Sequence, residues 1–417
     1  MKNVYDIRHE KNLLYILSPN GDSDEKETVS ENIYAKTAVI FYLYYLHTLS
    51  VYLPYVDGVS KDIDIYIISS RKEVLEAVRT HLNQSGRKRV QYILKENRGR
   101  DVSALLVEGA EIIKPYKYIC FLHDKQARNA KVKQDTDLWI ENLWGNLMGG
   151  SDYVANVLRM FEENRRLGIL APPEPVGDNF CTWYGYGWHK SYSVTRELAD
   201  MLQLNTDLSP DKPPITIGTA LWFRRQSLQK LFDFGWRYGD FDDGKLRYQD
   251  YLSYGIERIF AYVAQDAGFD TGTVMTVDYA RKQTNYLQYS TSILFSEAKR
   301  FFPVPCISDL KAYKINKEKL LRFAGKNRNL YLYGAGEMGR FCFFLLREAN
   351  LFPQGFLVSG RDGGSMVCGL AVTSIQDKKE CLDCAVIVTA FEERIRNEMV
   401  KNLKDRGFYN YLVFWGD

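Results

Sequence analysis

Residues 90–113 read VQYILKENRGRDVSALLVEGAEII. A β-branched, apolar run passes into the polar hexapeptide ENRGRD, Glu96 to Asp101, and out of it into small and apolar residues at helical spacing. Strand, glycine loop and helix in that order make one βα unit, and the same rhythm is repeated around it. The strand-like runs AVIFYLYY and DIDIYIISS precede it, YKYICFLH follows it, and LHTLSVYLPYV and KEVLEAVRTHL supply helices. Apolar strands alternating with amphipathic helices predict an open, mostly parallel α/β sheet of nucleotide-binding type.

Residues 1–36 read as a lead-in, polar and acidic from Ser18 to Asn32. The first domain is expected over 37–300. It takes in helix candidates at Leu138 to Met148 and Tyr153 to Asn164, the strand GILAPP and the aromatic loop NFCTWYGYGWHKSY. A strand-to-helix run, ITIGTALWFRRQSLQKLF, and the helix DYLSYGIERIFAYVAQDAGF, closed by Gly268, complete it. Residues 301–321 read as a link. A second, smaller α/β domain is expected over 322–417, where NLYLYGAGEMGRFCFFLLREANLF is strand, glycine turn and helix, and VIVTAF is a later strand.

With 46% hydrophobic and 26% charged residues, the 417-residue chain has the profile of two or three globular domains. A net charge of +3 without a long basic block gives no electrostatic ground for nucleic-acid binding. Seven cysteines, several in apolar runs, read as reduced thiols of a cytoplasmic protein, and Cys381-x-x-Cys384 has no second pair to complete a zinc site. The opening MKNVYDIRHEKN lacks the apolar centre of a signal peptide. Thr37 to Val56 carries no Asp, Glu, Lys or Arg and has the length of a membrane span. Its first half is β-branched and aromatic and its second has helical spacing, so it reads as a buried strand followed by a helix. The 14% aromatic content suits either a tyrosine-rich core or surfaces that stack on ring-shaped ligands.

ENRGRD stands at the carboxyl end of its strand, where ligands gather in open α/β sheets. Asp101 is suited to cap the helix, and Gly99 lets a ligand approach the main chain. Arg98 and Arg100 add fixed charge beside a helix N-terminus that already favours anions. Together with Asn97 they suit a diphosphate; the plainer reading is a capped helix with two solvated arginines. The next strand end, CFLHDKQ, tips the balance by bringing His123, Asp124 and Lys125 to the same edge of the sheet.

This order of parts resembles the GT-A glycosyltransferases, whose corresponding tripeptide is usually Asp-x-Asp and holds a divalent cation on the donor diphosphate. Here it is His123-Asp124-Lys125. Either His123, Lys125 and the two arginines replace the cation, or His123 and Asp124 bind a metal. A closer resemblance is to the rhamnan synthesis protein F family, bacterial enzymes implicated in rhamnose-containing cell-surface polysaccharides. ENRGRD, FLHDK, ENLWGNLMGG, ITIGTALWFR and QDYLSYGIERIF carry it, in order, between Ala38 and Gly268. Asp124 departs from the family's usual Thr, and Tyr42 stands where many members have His.

The resemblance implies a GT-A-like fold and an inverting transferase at the inner face of the cell membrane. Its donor would be a nucleotide sugar, dTDP-L-rhamnose by analogy, and its acceptor a lipid-linked glycan; peripheral membrane contact and a homo-oligomer are compatible with it. Asn97, Arg98, Gly99, Arg100, Asp101, His123 and Lys125 are then the donor site. Asp250 matches the place of the catalytic base, or else caps its helix, and Glu257 with Arg258 reads as an ion pair or as support for Asp250. Trp183, Tyr186, Trp188 and His189 would stack on sugar or pack the domain's own edge. Gly218 and Thr219 would line the acceptor side, and Trp139 and Trp144, at near-helical spacing, read as core. The rival class is an inactive sugar-nucleotide-binding or scaffold subunit of a polysaccharide assembly complex.

In the second domain, LYLYGAGEMGRF places Gly334, Gly336 and Gly339 in a GxGxxG between a strand and a helix, the context of a dinucleotide turn. The following strand ends at Ser359, where an acidic partner for a ribose is expected, with Asp362 three residues on. An NAD site, a nucleotide or nucleotide-sugar site and a packing module are its three readings; the first would make the chain an NAD-dependent sugar-modifying enzyme.

Overall fold

The computed structural model describes residues 12–18, 31–126, 133–173, 188, 191–211, 214–241, 251–301, 307–360, 365–377 and 383–415. The chain divides into two compact units, Met1–Leu287 and Gln288–Asp417.

The strands of the first unit are β1 (Asn12–Leu17), β2 (Thr37–Tyr42), β3 (Asp64–Ser69), β4 (Val90–Leu94), β5 (Tyr118–His123), β6 (Leu167–Ala171), β7 (Leu221–Arg224) and β8 (Asp270–Thr276). Among the described residues they form one sheet in the order β1-β8-β6-β7-β5-β2-β3-β4. All pairs are parallel except those of β7, which runs antiparallel to β5 and β6. This is the open, mostly parallel, helix-flanked sheet expected of a GT-A-like fold. One strand falls where the sequence reads as a lead-in: β1 pairs with β8 from Asn12↔Thr271 to Leu17↔Thr276. The apolar NLLYIL satisfies the outer ladder groups of β8, which would otherwise lack backbone partners.

Successive residues of β2 and β5 point to opposite faces. Ile40, Ile119 and Phe121 enter one core, together with Val102 and Leu105 of the helical stretch after ENRGRD and with Ile256 and Phe260 of helix Tyr251–Asp266. Val39, Phe41, Cys120 and Leu122 enter the other, against helices Lys72–Gln84 and Ser151–Glu163. Both faces of the central strands are covered, so their sequences are almost continuously apolar. Thr37 to Val56 divides into β2 and helix Leu49–Asp57. Among the described residues no helix is long and apolar enough to cross a membrane.

From β2 the chain builds outward through β3 to β4, then returns to the other side of β2 for β5. The order reverses between β2 and β5, and their carboxyl ends, Tyr42 beside His123, flank the crevice that such a switch point opens.

The second unit contains helix Ile307–Gly325, which takes up most of the stretch that reads as a link, and a sheet of its own. Its strands are β9 (Leu330–Tyr333), β10 (Gly355–Val358), β11 (Met366–Val367), β12 (Leu370–Ser374), β13 (Ala385–Val388) and β14 (Tyr411–Val413), in the order β11-β12-β10-β9-β13-β14. All pairs but β11 with β12 are parallel. Leu332, Phe356 and Ile387 pack on one face with Cys342 and Leu346 of helix Glu337–Glu348. Tyr333, Leu357 and Val386 pack on the other with Met399 and Leu403 of helix Glu393–Asp405. This is a small Rossmann-like module.

Candidate active site

The loop after β4 is shaped by glycine. Gly99 has φ +68° and occupies the N-cap position of the helical stretch beginning at Arg100. A Cβ there would lie 2.7 Å from the Cβ atoms of both Phe241 and Ser103, so no larger residue fits. Arg100 follows with φ +48°, a left-handed conformation uncommon for a side chain of its size. Asp101 lies inside the first turn rather than at the cap. Ser103 secures the turn instead, its Oγ donating to the carbonyls of Arg98 at 2.5 Å and Arg100 at 3.1 Å. Arg98 Nε donates to the Phe241 carbonyl at 2.8 Å, which ties the loop to the segment leading toward Asp250.

Alternation along β5 puts His123 on the same face as Ile119 and Phe121, the face that carries the helices of Asp101 and Glu257. His123 Nε2 stands 3.9 Å from Asp101 Oδ2, and the two side chains are only 11% and 17% exposed. Burial alone would raise the Asp101 carboxyl; His123, the facing Thr219 hydroxyl, its own backbone N–H and Arg100 outweigh this and hold it below its ordinary value. The structure therefore gathers residues from ENRGRD, FLHDK and ITIGTALWF at one edge. Gly218, φ +91°, brings its main chain near Trp139, and Thr219 is fully buried.

The three residues after Leu122 part company. Asp124 is 5% exposed, and its Oδ2 accepts the backbone N–H groups of Tyr44 and Tyr45, both at 2.8 Å. It thereby fastens the loop after β2 to the loop after β5, across the switch point. Burial pushes its carboxyl up to about 6, against the pull of those two N–H groups. Lys125 Nζ lies 3.9 Å from the centre of the Trp139 ring, a cation–π contact, and Tyr52 exchanges hydrogen bonds with the Lys125 backbone at 2.6 and 2.7 Å. Trp144 is core, stacked on Phe41 at 5.3 Å, and its Nε1 donates to the His123 carbonyl.

His123 and Asp124 are the pair read as a possible metal site. Asp124 Oδ2 is committed to two backbone donors, and among the described residues no three His, Cys, Asp or Glu side chains gather in a metal-holding group.

Asp250, Trp183, Tyr186 and His189 lie outside the described residues, as does Asp362. Trp188, expected among the sugar-stacking residues, is a core residue: it is 7% exposed, its Nε1 donates to the Ser209 carbonyl at 3.1 Å, and it packs on Tyr192 and Tyr262. Its spacing from the other aromatics of the loop does not distinguish a packed indole from an offered one.

Two charged residues gain weight from the structure. Glu257, one to two turns into its helix, has a 22% exposed side chain, with Oε2 3.5 Å from Arg258 Nη1. Burial raises its carboxyl against Arg258, with Asp101, Lys125 and His123 also in electrostatic range. Lys95, immediately before ENRGRD, is 4% exposed. In sequence it looks like any surface lysine at a strand end.

In the second unit the glycine turn is largely explained by packing. A Cβ on Gly334, φ +116°, would lie 2.6 Å from Thr389 Oγ1, and one on Gly339 would lie 1.9 Å from the Gly334 carbonyl oxygen. Gly336 alone of the three faces open space. Ser359, at the end of β10, bonds through Oγ to Tyr333 Oη at 2.6 Å.

Among solved structures the chain resembles "Mannosyltransferase PcManGT from Pyrobaculum calidifontis in complex with GDP-Man and Mn2+", at 12% identity and a TM-score of 0.31, over 57% of this chain and 54% of that one. The chain thus spans about half the length of that structure, and at such a score the likeness says nothing about chemistry here. No curated protein matches the sequence. The family model of rhamnan synthesis protein F matches residues 1–269, nearly all of the first unit and the whole of the site just described. The chain belongs to the rhamnan synthesis protein F family.

Proposed function

We propose that the first unit transfers a sugar, L-rhamnose by family analogy, from a nucleoside-diphosphate donor to a cell-surface polysaccharide acceptor with inversion. The observation that carries this is the convergence of the glycine-turned loop Asn97–Asp101 with His123 and Lys125 at the switch point of a parallel sheet. Arg98, Arg100, His123, Lys125 and the first-turn N–H groups after Gly99 would meet the charge of the diphosphate.

In this reading Asp250 takes the proton of an acceptor hydroxyl while that oxygen attacks the anomeric carbon. The bond from that carbon to the donor phosphate oxygen breaks, and the diphosphate leaves with its electron pair. The transition state is oxocarbenium-like, so stabilising the leaving charge and removing the acceptor proton are the two tasks set to the protein. Trp183, Tyr186 and His189 are assigned to sugar and acceptor, with Gly218 and Thr219 on the acceptor side; Trp188, a core residue, is assigned no ligand contact. The second unit is assigned no chemical step.

The test is calorimetric binding of dTDP-L-rhamnose, UDP- and GDP-sugars and NADH to wild type and Arg100→Ala, with and without EDTA, beside turnover by Asp250→Asn. Selective binding of one sugar nucleotide, weakened in Arg100→Ala and indifferent to EDTA, with turnover lost in Asp250→Asn, supports the reading. Binding without turnover in wild type would leave a sugar-nucleotide-binding subunit. Binding of NADH alone would sink the transferase.

A further inference from the structure

Lys95 Nζ donates to the carbonyls of Glu96 at 2.8 Å and Arg98 at 3.0 Å and reaches Ser70 Oγ at 3.4 Å. Three acceptors match the three protons of an ammonium group. The rings of Tyr42 and Tyr238 lie 5.1 and 5.6 Å from Nζ, and Tyr238 in turn bonds to Glu108. Asp101, Glu108 and Glu96 supply the surrounding negative charge.

The peptide bonds of the described chain are trans, so the C=O and N–H of each unit point in opposite directions. Drawing the oxygens of Glu96 and Arg98 toward Lys95 turns the N–H groups of Asn97 and Gly99 away from it. A cation beneath a loop thus orients the donors of that loop, and Ser103, which also bonds the Arg98 carbonyl, holds the same peptide from the helix side.

We infer that Lys95 is a positioning residue for the donor diphosphate, holding the Asn97–Asp101 loop in its anion-binding conformation without touching the ligand. The inference rests on the diphosphate reading of that loop. Burial lowers the Lys95 ammonium to about 8, against the pull of Asp101, Glu108 and Glu96. Above that pH a neutral amine has two protons for three acceptors, and the three-point hold on the loop and Ser70 loses one donor. A bound diphosphate favours the charged form, so binding takes up a proton and affinity falls as pH rises through 8.

The experiment measures dTDP-L-rhamnose affinity between pH 6.5 and 9.5 for wild type, Lys95→Met and Lys95→Arg, with amide exchange over residues 96–102 of the donor-free proteins. Loss of one charge-assisted contact predicts binding about tenfold weaker for Lys95→Met at pH 7, with no alkaline fall. Lys95→Arg keeps its charge across the range and is expected to bind without the alkaline loss. Exchange protection at Asn97 to Asp101 should drop in Lys95→Met. A folded Lys95→Met with wild-type affinity, pH profile and protection would overturn the inference, as would an alkaline fall that persists in Lys95→Arg. If wild type binds no sugar nucleotide, the diphosphate reading fails by itself, and the exchange measurement still decides whether Lys95 holds the loop.

Discussion

His123 Nε2 faces Asp101 Oδ2 at 3.9 Å, joining the end of β5 to the first turn after the glycine loop, 22 residues earlier in the chain. The carboxylate is held below its ordinary value by this and its other neighbours. A carboxylate whose folded pKa is depressed contributes stability above its unfolded value near 4, and that contribution is lost as pH falls through the folded value. Asp101→Asn should therefore cost about 1–3 kcal/mol at pH 7, and less as the pH falls below 4. Urea unfolding of both proteins from pH 7 down to pH 3 reads the difference.

Asp124 has the opposite sign. Its carboxyl is raised to about 6, so the folded state binds more protons than the unfolded state between pH 4 and 6, and stability contributed by this group is lost as pH rises through that window. An amide oxygen can still accept from Tyr44 and Tyr45 without a buried charge. Asp124→Asn should stay within about 1 kcal/mol of wild type at pH 7, while Asp124→Ala, which strands two N–H groups, should cost about 2 kcal/mol or more. Equal losses for the two variants in chemical denaturation would contradict the capping role.

Gly99→Ala should be severe. The new methyl meets Phe241 and Ser103 at 2.7 Å in a left-handed conformation, and clash with strain together cost about 2–4 kcal/mol. Gly86, φ +68° but with nothing within 4 Å of its would-be Cβ, is the control, since its alanine variant carries the strain without the clash. Thermal unfolding should rank wild type above Gly86→Ala, and Gly86→Ala above Gly99→Ala.

In the second unit, Gly339→Ala and Gly334→Ala should each destabilise by more than about 2 kcal/mol, because the backbone of Gly334 and the side chain of Thr389 occupy the space. Gly336→Ala meets nothing within 4 Å and should be nearly neutral to folding. Calorimetric melting of the full-length variants checks this order. If Gly336→Ala were the most damaging of the three, the packing account of the turn would fail.

The alternation of strands and helices, the two α/β units and the family were legible in the sequence. Each of these depends on local periodicity or on short blocks whose order survives in the chain. The sequence also marked ENRGRD and FLHDK as one edge of a sheet, because a polar loop after an apolar strand has few other places to go. What it could not assign was the job of each charge within those blocks. Asp124 and His123 are adjacent, yet one fastens two backbone loops while the other faces Asp101. Trp188 and Lys95 were decided by contacts with Ser209 and with the loop carbonyls, neither of which has a periodic signature. Strand pairing brought β5 beside β2 across 75 intervening residues, and β1 beside β8 across more than 250. Only that long-range pairing places Tyr44, Asp101, His123 and Thr219 at one edge, because burial and hydrogen-bond partners belong to the folded neighbourhood and not to position in the chain.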